Sequence, residues 1–583
     1  MLQVLLNRKY MARYATAIFV VVFVYLLFTS QMAASTHSNL KGTAGSVGHV
    51  QTEPVAESPA HHTPAAPEKP TPEKQNDKPS VPSSHPVASL PSSLSSDKYE
   101  DASNSLVYSG SELTHDLSVE HRFNHYQNVI SIFERYHPHI ERLDNYKDGV
   151  RARKKGFDDK EPIYSNEALG EFLQVSPSEI QALRDSHKAT VAELPDSYPQ
   201  GMYKGAGVVL VAGGRYMPTM LVTLKMLRRL SPTIPVEVFV ADKNEYEPGI
   251  CENVLPKLGA KCVVLEDLFG KKFFEKFDIR SYQLKILAIL GSSFETVIFM
   301  DSDSVPLKPV EKLLVQEPFQ SYGYIIWPDY WFRTTSPYFY DIVGIELGKR
   351  VRGDLSVTDP KLVPQADQEG ALPDKSSESG QIYVSKKLHY KSLLLSLYYN
   401  LHGFTAYYPL LTQGSGGEGD KETFLAAAHV LKDKHYQVKT DTRPAGRFEK
   451  EFIGSGMLQF DPAEEYDQLV LKTRKEEPTK MFAHLNMFKL NLRELYTGDD
   501  AHRFTEDTSK HVRLLGRPKD NVGHFGYFDI ELVIWEQCKW MACTMAKENG
   551  VTFKDWANAD IDELCRKTTT HFDWLLKTGT WTE

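Results

Sequence analysis

The stretch VIFMDSDSVPL, residues 297–307, decides how this chain is read. Four apolar residues run into Asp301, Ser302 and Asp303, and the chain then turns apolar again. Side chains of an extended chain alternate faces, so Asp301 and Asp303 leave the end of a buried strand on the same side. Two carboxylates there repel, which raises the cost of ionising both. A divalent cation removes that cost, and paired oxygens suit hard ions such as Mg²⁺ or Mn²⁺. The plainer alternative is a solvated turn built on Asp side chains after the strand.

The neighbouring segments weigh on that choice. GVVLVAGGRY, from Gly207, is a strand ending in a glycine turn; MPTMLVTLKMLRRL is an amphipathic helix and PVEVFVAD a second strand. CENVLPKLG follows as a helix, AKCVVLED as a third strand and SYQLKILAILGSSF as another helix before TVIFMDSDSVP. Strands alternating with helices predict an α/β fold with a parallel sheet covered on both faces. Ligands of such sheets sit at the carboxyl ends of the strands. The acid pair, and Ala212–Arg215 after the first strand, fall at those ends.

The flanks set the organisation. At 583 residues the chain has room for several domains of roughly 100–200 residues. A net charge of −9 with interspersed signs gives no footing for a nucleic-acid partner. Arg8, Lys9 and Arg13 precede an uncharged segment, Tyr14–Ala34, long enough at about 1.5 Å per residue to cross about 30 Å of hydrocarbon. A cleaved signal peptide is the rival to an uncleaved anchor. The basic flank predicts a cytosolic tail at 1–13, a type II anchor at 14–34 and a lumenal remainder. A Ser/Pro-rich stem at 35–115 cannot bury enough apolar surface to fold. Residues 116–200 read as a helical region packed on the catalytic domain at 201–583. Phe123, Tyr126, Val129, Ile130 and Phe133 recur at helical spacing, and Ser176, Pro177 and Glu179 open a second helix with a capping box. Of the five cysteines, Cys251 and Cys262 suit a local disulfide in an oxidising lumen. Two of Cys538, Cys543 and Cys565 are open to a second, with one thiol left over.

Three further signals lie downstream. PDKSSESGQIYVSKK, residues 373–387, reads as a polar loop becoming a strand. YYPLLTQGSGGEGDKETF, residues 407–424, is glycine-rich, carries Glu418, Asp420 and Glu422, and runs into an apolar helix. KMFAHLNMFKLN, residues 480–491, places His484, Asn486 and Lys489 after a short apolar run. Trp327, Tyr330 and Trp331 read equally as a sugar platform or as core.

Together, D-x-D at a strand end, E-S-G-Q and H-x-N-x-x-K resemble the GT-A class of nucleotide-sugar glycosyltransferases. More closely, YYPLLTQGSGGEGDKETFLAAAH with FMDSDSVPL and MFAHLNMFKLNL is similar to the fungal Golgi mannosyltransferases that build cell-wall mannan. Within these it resembles the α-1,2-mannosyltransferases that start side branches on the α-1,6-linked backbone. The resemblance implies a GT-A-type fold, GDP-mannose as donor, Mn²⁺ as cofactor, an outer-chain mannan acceptor on N-glycans, and retention of the α configuration. It implies Asp303 as the main metal ligand, Asp301 toward the metal or the ribose, and His484 as the last protein ligand. Lys489 would stand at the diphosphate, with Gly213, Gly214 and Arg215 at the nucleotide. Lys285 would reach the same diphosphate or be a solvated surface lysine. Glu378 and Gln381 would contact donor or acceptor hydroxyls, and Glu418, Asp420 and Glu422 would supply the catalytic carboxylates. A Golgi enzyme complex stays open as a setting. Rivals are an α-1,3-mannosyltransferase, a haloacid-dehalogenase-like phosphohydrolase with Asp301 as nucleophile, and a non-catalytic lumenal lectin or scaffold.

Overall fold

The structure, a computed structural model, describes residues 115–147, 163–487, 489–498, 501–516 and 529–579. The expected tail and anchor, and the stem up to residue 114, lie outside the described residues. Among those described, no helix is long and apolar enough to cross a membrane.

Eleven strands are described: β1 Ala206–Val211, β2 Val236–Val240, β3 Ala260–Val264, β4 Thr296–Met300, β5 Ser304–Pro306, β6 Tyr324–Phe332, β7 Lys375–Ser385, β8 Tyr436–Gln437, β9 Arg443–Phe448, β10 Phe452–Phe460 and β11 Lys480–His484. The central sheet has seven strands in the order β3-β2-β1-β4-β7-β6-β8. Only β7 runs against its neighbours, so the sheet is mostly parallel as expected. A second sheet, β5-β11-β10-β9, is antiparallel.

Both faces of the central sheet are covered, which is why its strands are near-continuous apolar runs. Val208, Leu210, Ile298 and Met300 face one core with Met220, Leu224 and Leu227 of the helix Met217–Leu230. Their neighbours Val209, Val297 and Phe299 face the other, with Ile286, Leu287 and Leu290 of the helix Gln283–Gly291. The helical region joins this second core: Tyr126, Val129 and Phe133 of the helix His115–Arg135 pack there. The helix Pro177–Glu193 opens on the expected capping box, with Ser176 Oγ accepting from Glu179 N–H and the Glu179 carboxylate accepting from Ser176 N–H.

Three expectations change. The helix after β2 covers only Pro248–Asn253 and gives way to a single tight turn at Pro256–Leu258, because Pro256 has no N–H for the helical ladder. The polar run SSESGQ is strand throughout and belongs to β7. Its backbone is paired with β4 and β6, so only its side chains answer to its polarity. Trp327 is core: it is fully buried and donates from Nε1 to the Phe460 carbonyl. Cys251 pairs with Cys262 and Cys543 with Cys565, while Cys538 is a buried thiol.

Several histidines sit neutral in the cores. His402 packs edge-on against Phe277, Tyr398 and His137. Burial, with the nearby His137 and His139, pushes it from 6.5 down to about 3. An unfolded chain binds a proton there below pH 6.5, whereas the folded chain does not, so stability falls as the pH drops through this window. At pH 5 the term is about 2 kcal/mol. Urea unfolding at pH 7 and pH 5 is expected to show a loss about that much smaller in His402→Phe than in the wild type. Equal losses would contradict the assignment.

Candidate active site

The register of two strand pairs, β4 with β7 and β5 with β11, assembles the site. Met300 of β4 lies opposite Gln381 of β7, which sets Glu378–Gln381 beside the acid pair. The Asp301 N–H donates to the Gly380 carbonyl at 2.7 Å. The chain turns at once, with the Ser304 N–H donating to the Asp301 carbonyl at 3.0 Å. Thr223 Oγ1 pins the turn by donating to the Ser302 carbonyl at 2.6 Å. β5 then pairs with β11 so that Ser304 faces His484. A one-residue slip would turn His484 away.

Asp303 is only 3% exposed. Its Oδ1 lies 3.1 Å from His484 Nε2, and its Oδ2 accepts from Lys489 Nζ. Asp301 sits at the mouth, with its side chain 27% exposed and Oδ2 3.1 Å from Lys285 Nζ. Lys285 is buried. Its ammonium also donates to Ser379 Oγ at 2.8 Å and the Ser379 carbonyl at 3.0 Å, and lies 3.3 Å from Asp420 Oδ2. The alternative of a solvated surface lysine is therefore wrong, and Lys285 joins the two acids.

The charges follow this geometry. Burial raises Asp303, but the His484 and Lys489 charges outweigh it and hold the carboxyl below the usual range. Burial pushes Asp301 up to about 6 against the pull of Lys285 and His484. Burial also raises Asp420, with Lys285 opposing. Burial lowers His484 and Lys285, yet the surrounding carboxylates raise both above their ordinary values.

Asp301, Asp303 and His484 each offer one ligand atom, and these atoms lie within 4.8 Å of one another. Two carboxylate oxygens and one imidazole nitrogen fit a divalent cation such as Mn²⁺, leaving positions for substrate oxygens.

The expected catalytic carboxylates do not act together. Asp420 reaches the site through Lys285 and Ser379. Glu418 instead ties its own loop, accepting from Thr412 Oγ1 at 2.8 Å and the Gly414 N–H at 2.9 Å. Glu422 is buried against Arg333 and accepts from Ser376 Oγ at 2.7 Å and the Ser377 N–H at 3.1 Å. Its carboxylate is engaged by these partners on both oxygens. Glu378 and Gln381 face His484 and Ser304. Arg215 is at the surface, its side chain 53% exposed and 3.2 Å from Glu494. Gly213 holds φ 127°, and a Cβ there would meet Glu245 Oε2 at 2.2 Å. Residue-by-residue reading of the sequence missed Ser379, whose signal was its place inside E-S-G-Q.

Residues 205–461 match a family described as "Mannosyltransferase putative". The chain is 36% identical to the alpha-1,2-mannosyltransferase MNN21 of Candida albicans, over 76% of this chain and 74% of that protein. It is 38% identical to MNN2 of Saccharomyces cerevisiae over 56% of this chain and 55% of that protein. It is 31% identical to MNN5 of the same yeast over 74% and 84%. Among solved structures, the galactosyltransferase LgtC with donor and acceptor sugar analogs aligns at a TM-score of 0.24 and 14% identity, over 40% of this chain and 73% of that chain, too slight a likeness to carry an argument. The matched sequences make the protein a glycosyltransferase. The chain belongs to the mannosyltransferase family of these yeast proteins.

Two substitutions separate site from scaffold. Arg333→Met leaves the Glu422 carboxylate buried without its partner and is expected to cost about 3–5 kcal/mol in denaturant unfolding. A loss under about 1 kcal/mol would show that the pair is not structural. Asp303→Asn keeps the shape and removes one charge. Transfer is expected to fall at least about 10²-fold in a variant that still folds, and near-normal turnover would exclude Asp303 as a ligand.

Proposed function

We propose that the chain is a retaining α-1,2-mannosyltransferase that takes mannose from GDP-mannose and adds it to the α-1,6-linked mannan backbone of cell-wall glycoproteins. The observation that carries the reading is the grouping of Asp301, Asp303 and His484 at strand ends, with Lys489 beside it. The names of the relatives support the α-1,2 linkage. The strand order up to the acid pair and the ligand position at strand ends support a GT-A-type fold.

On this reading Asp301, Asp303 and His484 would hold Mn²⁺, which when bound would supply Lewis-acid stabilisation for the charge that builds on the β-phosphate. Lys489 adds a second cation at the diphosphate as a point charge. Lys285 holds Asp301 and Asp420 apart and in place, its ammonium bridging both. Asp420 stands ready to support positive charge on the sugar ring. GDP-mannose is α-linked and so is the proposed product, so the configuration is retained. In a front-side exchange the acceptor hydroxyl bonds to the anomeric carbon as the bond to the diphosphate breaks, and the departing diphosphate takes the proton. That route needs no nucleophile, in keeping with Glu418 and Glu422 being engaged elsewhere.

The anchor at 14–34 would place the catalytic part in the Golgi lumen. The two disulfides suit that oxidising compartment. The purified chain is expected to transfer mannose from GDP-mannose to α-1,6-mannan in the presence of Mn²⁺, with linkage analysis showing α-1,2 bonds. An α-1,3 product would favour the runner-up, and phosphate release without transfer would sink both.

A further inference from the structure

We infer that Glu378 is a positioning residue that fixes the ring of His484, so that Nε2 is the nitrogen offered to the metal. This rests on the reading of Asp301, Asp303 and His484 as a divalent-cation site, and it replaces the expected role of Glu378 at sugar hydroxyls.

The two ring nitrogens of His484 face different partners. Nε2 points to Asp303 Oδ1 at 3.1 Å, and Nδ1 lies 3.1 Å from Glu378 Oε1. Both partners are carboxylates, which only accept, so at rest both ring nitrogens carry protons; a cation at Nε2 would take the place of the proton facing Asp303, and the Glu378 contact would keep the remaining one on Nδ1. Partners of this kind set the tautomer and orientation of ligating histidines and raise their basicity.

Glu378 is itself held by two further hydrogen bonds. Its Oε1 accepts from the Gly380 N–H at 2.7 Å and its Oε2 from Gln381 Nε2 at 2.7 Å. Gln381 Oε1 in turn accepts from Ser304 Oγ at 3.0 Å. The relay therefore runs Ser304, Gln381, Glu378, His484. It begins at the residue paired with His484 across β5 and β11. All four side chains are buried, so none of these bonds competes freely with water.

Gly380 makes the contact possible. A Cβ at this position would meet His484 Nδ1 at 2.6 Å, His484 Cε1 at 2.7 Å and Glu378 Oε1 at 2.9 Å. A side chain would occupy the space in which ring and carboxylate meet. This gives the glycine of E-S-G-Q a physical reason, and the Gln as well: its amide is the fork that joins Glu378 to Ser304.

The test is direct Mn²⁺ binding to the full chain, followed by electron paramagnetic resonance of the free ion. Glu378→Gln is expected to weaken Mn²⁺ binding about 10–100-fold, the range for such partners, in a variant whose circular dichroism shows it folded. Gln381→Met, one step further along the relay, is expected to weaken it less. Wild-type affinity in Glu378→Gln overturns the proposal and leaves the metal site standing. Absence of Mn²⁺ binding in the wild type overturns both. If Glu378→Gln does not fold, the wild type decides alone: ¹⁵N resonances of the Mg²⁺-loaded protein are expected to show His484 protonated at Nδ1. Protonation at Nε2 would overturn the proposal.

Discussion

A cluster of buried carboxylates gathered around the end of β4 must be neutralised, and much of the arrangement around the site answers that requirement. Asp303, Glu378 and Asp420 are buried, with Asp301 at the mouth beside them. Uncompensated, each buried charge would cost several kcal/mol. Lys285 comes from a helix, His484 from the end of β11 and Lys489 from the segment after it. These three cations meet four acids because β4 is flanked by β1 and β7 in one sheet, while β5 ties the chain beyond it to β11 in the other. Fold and electrostatics are thus one problem here: the pairings that close the sheets also deliver the counter-charges.

On the proposed reading, that balance lets the site take a cation and an anionic donor together. Lysine ammonium groups and an imidazole hold the acids at rest. A divalent ion with a diphosphate brings charge of both signs and can exchange with those partners without leaving the pocket unbalanced. A solvated turn would need none of this, and Asp303 is not solvated.

The parallel strands, the strand-end acids, the capping box at Ser176 and the pairing of Cys251 with Cys262 were legible, because each is set by local spacing. What depends on register was not. The strand β7 looked like a loop because its polar side chains serve the site while its backbone pairs with β4 and β6. Lys285 sits on a mostly apolar helix, and nothing local says that its ammonium meets two acids. Asp420 and Glu422 alternate in the sequence and would share a face if extended. The helix Lys421–Val430 starts between them, and residues two apart on a helix do not face each other. One therefore meets Lys285 and the other Arg333. The helices Ile530–Lys539 and Ile561–Thr578, which close the first core, carried no signal that had been tied to the site.

The central claim is that one divalent cation binds between Asp301, Asp303 and His484 together with the donor diphosphate. Anomalous diffraction at the manganese edge, from crystals grown with Mn²⁺ and GDP, tests it most directly. The account predicts one peak bonded to Asp303 and to His484 Nε2, with the diphosphate of GDP completing the coordination. GDP bound with no metal at these residues, or the peak at another cluster, would contradict it.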